Sequence, residues 1–200
     1  MPFQAIYDAC LLYPFEVRDV PMVAARTRLF AVRWTDAILD EMARNLIKDG
    51  RANEENMAKL RADMNKLYPR ANIPLKDYES LIPVMTCDPK DRHVLAAAVS
   101  KGVDVIVTRN LSDFPPESLA PYSIETQSAD EFVLHVLDLN SRLFLRHFRV
   151  RNEQKRSWAQ KKGKQPHSDI EVAQYLARAE PPMPNTSAFI LNCLNDPKFA

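Results

Sequence analysis

The sequence predicts an α/β fold, a sandwich of helices around a central, mostly parallel sheet, extended by a helical C-terminal segment. Three observations carry this. Short apolar runs alternate along the chain with longer segments whose apolar residues recur at helical spacing. Helix-starting and helix-stopping residues, among them Thr35, Asp88, Gly50 and Gly102, stand at the junctions. Near residue 140 the composition changes from an acidic body to a basic segment. Strands separated by helices imply parallel pairing.

Taken in order, Phe3–Tyr7 is short and apolar and reads as a buried first strand ending at Asp8. The residues after Pro14 read as a helix to about Arg28, and Leu29–Trp34 as a second strand. Thr35 is suited to cap a helix running to about Asp49, with Gly50 at its C-terminal end. Asn53–Tyr68 is rich in helix formers, with Met57, Leu60, Met64 and Leu67 at apolar positions and Pro69 beyond. Leu81–Met85 is a candidate strand. Asp88-Pro89 opens a helix through Lys101 that Gly102 closes, and Val103–Thr108 is a β-branched strand. A further strand is expected near Tyr122–Glu125, and Ser128 is expected to cap a helix to about Leu139. A proline-rich stretch, Pro181-Pro182-Met183-Pro184, precedes a last short helix.

A chain of 200 residues suits one domain with an appendage and is long enough to bury a core. Its 46% hydrophobic and 26% charged residues exclude wholesale disorder. The expected division is 1–140 for the α/β domain and 141–200 for a basic, mainly helical extension. No apolar run reaches membrane-spanning length, and the N-terminus lacks the basic start and apolar block of a signal peptide. Three cysteines without a CxxC pair argue against a disulfide framework or a structural zinc, and a cytoplasmic location is expected. Only Gly50, Gly102 and Gly163 are present, so neither a P-loop nor a dinucleotide fingerprint can be written. There is no GxSxG, and the four histidines lack HExxH spacing. A metal site in this chain must rest mainly on carboxylates.

In an α/β sheet, ligands gather at the carboxyl edge of the strands. Asp8 follows the first strand, Asp91 lies in the first turn of the helix opened by Asp88, and Asp113 lies in the loop after Val103–Thr108. Glu41 sits inside the helix after the second strand, where the apolar stripe of Ile38, Leu39, Met42 and Leu46 leaves Asp40 and Glu41 on opposite borders and does not choose between them. Asp88 is able to cap alone, which leaves Asp91 available. Four acids brought together repel one another and call for a cation. Hard oxygen donors suit Mg²⁺ or Mn²⁺.

The stretches AIYDACLLYPF, VRDV, RWTDAILDEMARNL, CDPKDRHVLAAAV and VIVTRNLSDFP resemble, in this order, the segments of a PIN domain. They resemble the subgroup that includes VapC-type toxin ribonucleases of type II toxin–antitoxin pairs. The resemblance implies a PIN-like three-layer α/β/α sandwich over residues 1–140. It also implies a Mg²⁺- or Mn²⁺-dependent endoribonuclease that hydrolyses phosphodiesters by metal-activated water, leaving 5′-phosphate and 3′-hydroxyl ends. Asp8, Glu41, Asp91 and Asp113 match the family's acidic ligands, which favours Glu41 over Asp40. Thr108 and Asn110 fall where water or the scissile phosphate is positioned. Asn110 stands where many members carry an Asp, so the site is one charge poorer. The implied partners are RNA and a cognate antitoxin protein, with a homodimer as a further option and no membrane. The alternative is a catalytically weak or inactive PIN-like module that binds RNA or a partner.

Two rival chemistries lack their parts. A haloacid-dehalogenase-type phosphatase needs an Asp where Cys10 stands, and a receiver-type phosphoacceptor needs paired acids before the first strand's Asp. Between Ser141 and Lys164, nine Lys/Arg face Glu153 alone, interleaved with Phe144, Phe148 and Trp158. Basic charge attracts phosphate and aromatic faces stack bases, so Arg142, Arg146, Arg149, Arg151, Lys155 and Arg156 are candidates for RNA contact. The competing expectation is a basic helix that packs through Leu143, Phe144 and Phe148.

Overall fold

The computed structural model describes residues 2–13 and 15–199. The chain runs β1 (Gln4–Tyr7), α1 (Ala9–Leu12), α2 (Phe15–Arg26), β2 (Ala31–Thr35), α3 (Asp36–Lys48), α4 (Glu54–Leu67) and β3 (Asn72–Ile73). After two 3-10 segments come α5 (Arg92–Lys101), β4 (Val105–Val107), α6 (Pro116–Leu119) and β5 (Glu125–Gln127). The chain ends with α7 (Ala129–Lys161), α8 (Asp169–Leu176) and α9 (Pro184–Asn195). Among the described residues no helix is long and apolar enough to cross a membrane.

The residues group into two compact units that follow packing rather than chain order. The first is Met1–Pro14 with Phe30–Ser128, and the second is Phe15–Leu29 with Ala129–Ala200. The boundary expected between 140 and 141 coincides with a kink inside α7, whereas the second unit already takes in this helix from Ala129. Asn140 there leaves the helical region (φ −161°, ψ 82°), and its side chain accepts a hydrogen bond from the Leu143 N–H, restarting the helix.

The first unit holds a five-stranded, all-parallel sheet in the order β3-β2-β1-β4-β5. β1 is buried along its whole length, as a central parallel strand covered on both faces must be. The chain steps one way from β2 to β3 and the other way from β3 to β4, so the right-handed rule for parallel crossovers puts α3 and α4 on one face and α5 on the other. Thr35 caps α3, its hydroxyl accepting from the Ile38 N–H at 3.1 Å, and Ile38, Leu39, Met42 and Leu46 form the buried stripe. Trp34 is fully buried, edge-on to Tyr68 at 5.7 Å. Gly102 ends α5 in the left-handed region (φ 59°), which a side chain with Cβ adopts at a cost.

One expected strand is absent and another is shifted along the chain. Leu81–Met85 is not a strand; Glu79–Val84 forms a 3-10 helix containing Pro83, which has no N–H to give to a ladder. The third strand is Asn72–Ile73, too short to show alternation. The fifth strand begins at Glu125, beyond Ser123, whose left-handed backbone (φ 54°) turns the chain before pairing starts. Pro14, expected to open the helix that is α2, lies outside the described residues.

In the second unit α2 packs on α7, and α8 and α9 pack on each other and on α7. Asp19 of α2 pairs with Arg151 (2.9 Å) and Lys155 (2.8 Å) of α7. Burial works against the Asp19 charge, but the two cations override it and hold its carboxyl below the ordinary value. Arg156 bonds Asp169 and Glu153, and the Arg142 guanidinium lies over the Phe199 ring. Phe144 and Phe148 are fully buried, 6.3 Å apart and stacked, which removes both from the reach of a nucleic-acid base. Four of the six basic residues expected to contact RNA are thus engaged inside this unit. Arg146 is exposed and Arg149 half-buried.

Candidate functional site

The strand order gives the site its place. From β1 the chain steps outward to β2, and from β4 it steps the other way to β5. The neighbouring carboxyl ends of β1 and β4 therefore flank a topological switch point, where open α/β sheets leave a crevice. Asp8 leaves β1 there and Thr108 leaves β4. Their backbones are tied, the Asp8 N–H donating to the Val107 carbonyl at 3.1 Å.

The Asp8 carboxylate is buried and held from three sides. Oδ1 accepts from the Ala9 N–H at 2.6 Å. Oδ2 accepts from the Thr108 hydroxyl at 2.7 Å and from the Cys10 thiol at 3.0 Å. Burial, and then the neighbouring Asp8, push the Cys10 thiol up to about 12, so it stays protonated and is able to donate. The Arg109 N–H donates to Cys10 Sγ at 3.2 Å, and the Asn110 N–H to Thr108 Oγ1 at 3.1 Å, locking the loop after β4 onto the same triad.

Asp91 occupies the N-cap position of α5, yet its side chain makes no capping bond. Asp88 accepts from the Lys90 N–H at 2.9 Å and shapes the turn ahead of it. The Asp88 N–H also donates to the Asp113 carbonyl at 3.0 Å, bringing the Asp113 loop beside that turn. The Asp91 carboxyl is raised to about 7, by burial first and then by Asp8, Asp113, Glu41 and Asp88. Asp8, Asp113 and Glu41 thus all act on Asp91, with Asp88 as a further member that the sequence assigns only to capping.

On α3 the two candidate acids separate. Asp40 is paired with Arg61 of α4, whereas Glu41 is half-buried, its carboxyl raised by burial and then by Asp8, against the lowering effect of Arg44. His93 stands with Nε2 3.9 Å from Glu41 and with Nδ1 buried and lacking a hydrogen-bond partner. Burial lowers its pKa, Asp8 opposes that and Arg44 adds to it. A cleft of about 490 Å³ opens beside Glu41, lined by Ala37, Asp40, Glu41, Arg44, Lys90 and His93.

The donor set is all carboxylate oxygen, the chemistry that Mg²⁺ or Mn²⁺ prefers. A carboxyl raised to about 7 by burial and then by its acidic neighbours is one that a cation would help to ionise. Among the described residues no three acidic, histidine or cysteine side chains already stand at ligating positions. The acids share a field without forming a closed cage, and in that chemical sense the residues fit the ion.

Cys10 and His93 are the site members that sequence reasoning missed. Cys10 was weighed only as an obstacle to another chemistry. The sole signal for His93 was its place two residues after Asp91.

A family model described as PIN domain matches residues 4–112. The chain belongs to the PIN-domain family. It is 52% identical over 62 residues to a Mycobacterium tuberculosis (strain ATCC 25618 / H37Rv) protein named "Putative ribonuclease VapC50". That alignment covers 31% of this chain and 37% of the relative.

Two measurements test the site as built. Thr108→Val removes the hydroxyl that holds Asp8 Oδ2 and keeps the shape, so cation affinity is expected to fall about 10- to 100-fold while the fold persists. Cys10→Ser, which restores a donor, is expected to stay near wild type, and Cys10→Ala to fall between. Equal Mn²⁺ affinity in all four proteins would exclude this role for the triad. The second concerns pH. Between the ordinary aspartate range and about 7, the folded, cation-free chain keeps a proton on Asp91 that the unfolded chain has lost. Stability in EDTA therefore falls as pH rises through that window, and the raised Glu41 acts in the same direction. Asp91→Asn is expected to flatten this dependence, measured as thermal midpoint between about pH 5 and pH 7.5. An unchanged slope in the variant would show that Asp91 is not the strained carboxyl.

Proposed function

We propose that this chain is a Mg²⁺- or Mn²⁺-dependent endoribonuclease, the cytoplasmic toxin of a toxin–antitoxin pair. The observation that carries this reading is the half-buried Asp91 at the start of α5, its carboxyl raised to about 7 by burial first and then by Asp8, Asp113 and Glu41. The family and the name of the mycobacterial relative support the same chemistry.

Asp8, Asp91, Asp113 and Glu41 are the residues that would hold the cation. When bound, a divalent ion lowers the pKa of water and neutralises charge building on the phosphate. Thr108 and Cys10 keep the Asp8 carboxylate in one orientation, so no reorganisation is needed when substrate arrives. Glu41, at the cleft edge, or Asp113 would hold the attacking water and take its proton. The water oxygen bonds to phosphorus, the bond to the 3′-oxygen breaks, and that oxygen takes a proton from solvent water and leaves as the 3′-hydroxyl. The Asn110 N–H is spent on Thr108, so the contribution of Asn110 would come through its side chain, as a neutral acceptor in place of an acid.

The second reading is a PIN-like module that binds RNA or a partner without cutting. Asn110 favours it, together with the open spacing of the acids. Incubation of purified chain with single-stranded RNA in Mg²⁺, Mn²⁺ or EDTA decides. Metal-dependent products ending in 5′-phosphate are expected. RNA left intact in both metals, with no Mn²⁺ bound in a titration, would favour the module. The residual RNA-contact role of the basic segment reduces to Arg146 and Arg149. The antitoxin and a homodimer remain part of the proposal and are tested by co-expression and by solution mass.

A further inference from the structure

The cleft beside Glu41 is not explained by the acidic cluster. Three of its six lining residues are Arg44, Lys90 and His93, and its acids are already committed: Asp40 to Arg61, and Glu41 to the cluster. Arg44 and Lys90 are exposed and make no ion pair among the described residues. Arg44 is one helical turn from Glu41 and influences its carboxyl, yet it forms no salt bridge with it. His93 lines the cleft 3.9 Å from Glu41, with a buried ring nitrogen that lacks a partner.

A polyanion approaching four carboxylates is repelled unless positive charge stands beside them. A cation among the acids answers for the phosphate that is cut. The neighbouring phosphate needs its own partner, and the two unpaired cationic side chains stand one cleft away. We propose that Arg44 and Lys90, with His93 lining the cleft, form a subsite for a backbone phosphate of single-stranded RNA flanking the scissile one. The inference rests on the ribonuclease reading and names how that substrate is gripped.

The test uses full-length chain and a fluorescent single-stranded RNA. Affinity is measured by anisotropy in EDTA across a salt series, and cleavage kinetics are measured separately in Mn²⁺. Arg44→Ala/Lys90→Ala is compared with Lys59→Ala/Lys66→Ala, which removes the same charge from exposed positions on α4. The first variant is expected to bind about tenfold more weakly and to lose about 0.7 from the salt slope per phosphate contact. KM should rise in step; Lys90→Ala alone should keep kcat within about twofold, because its grip is uniform between ground and transition state, whereas Arg44→Ala also removes a charge that lowers the Glu41 carboxyl and is read on binding and KM. The control should match wild type. Equal losses in both variants would mean bulk charge and overturn the subsite, as would an unchanged KM or a fall confined to kcat. Wild-type chain that cuts RNA with no difference between variants would overturn the subsite alone. Wild-type chain that neither binds nor cuts RNA would overturn both readings, and binding without cutting would sink only the nuclease.

Discussion

Asp91→Asn is expected to reduce metal-dependent RNA cleavage by about 10²- to 10⁴-fold while leaving the cation-free protein at least as stable at neutral pH. The two effects come from one cause. The amide keeps the volume of the carboxylate and removes the charge that Asp8, Asp113 and Glu41 repel. Relief of that repulsion favours the fold, and loss of a ligating oxygen disfavours the ion. Asp8→Asn should lose activity as severely. It should not gain stability in the same way, because Asp8 already spends both oxygens on hydrogen bonds from Ala9, Thr108 and Cys10. Circular dichroism and thermal melts in EDTA, beside a cleavage assay in Mn²⁺, separate these outcomes. Full activity in either variant would remove the acidic cluster from the chemistry.

The largest effect expected on folding lies in the second unit. Asp130, on α7, is buried, and its carboxylate accepts from the Asn185 N–H (3.1 Å), the Asn185 side-chain amide (3.0 Å) and the Thr186 N–H (2.7 Å). It caps α9 from another helix, since Met183 at the N-cap position contributes no side-chain bond. Asp130→Ala deletes the acceptor and leaves the Thr186 N–H in an apolar setting, at a cost of about 3 kcal/mol. Limited proteolysis should then open the α8–α9 region first. A variant as resistant as wild type would show that Asp130 is replaceable by water.

The parts of this fold that could be read from the chain are those written locally. β1 and β4 announce themselves as buried apolar runs, and Thr35 and Gly102 mark helix ends through their own chemistry. The positions of Asp8, Asp91 and Asp113 followed because strand ends and helix starts were legible. What could not be read depends on distant partners. The choice between Asp40 and Glu41 is made by Arg61, a residue of another helix. The grouping of α2 with α7 depends on Asp19 meeting Arg151 and Lys155 far along the chain. The aromatic residues of the basic segment had two uses open to them, and only packing shows that Phe144 and Phe148 are core. Leu81–Met85 had the apolar character of a strand and was diverted by Pro83, with no neighbouring strand to pair.

The bond from Thr108 to Asp8 joins residues 100 positions apart, across strands that are neighbours only in the finished sheet. Contacts of such sequence separation form late, after the entropy of closing the intervening loop has been met. A chain leaving the ribosome carries Asp8 long before it carries Thr108, and the carboxylate waits unoriented until β4 docks. The capacity to cut would therefore arrive with completion of the sheet and not before. Orientation of the Asp8 carboxylate is thus a property of the completed sheet and not of the β1 segment alone.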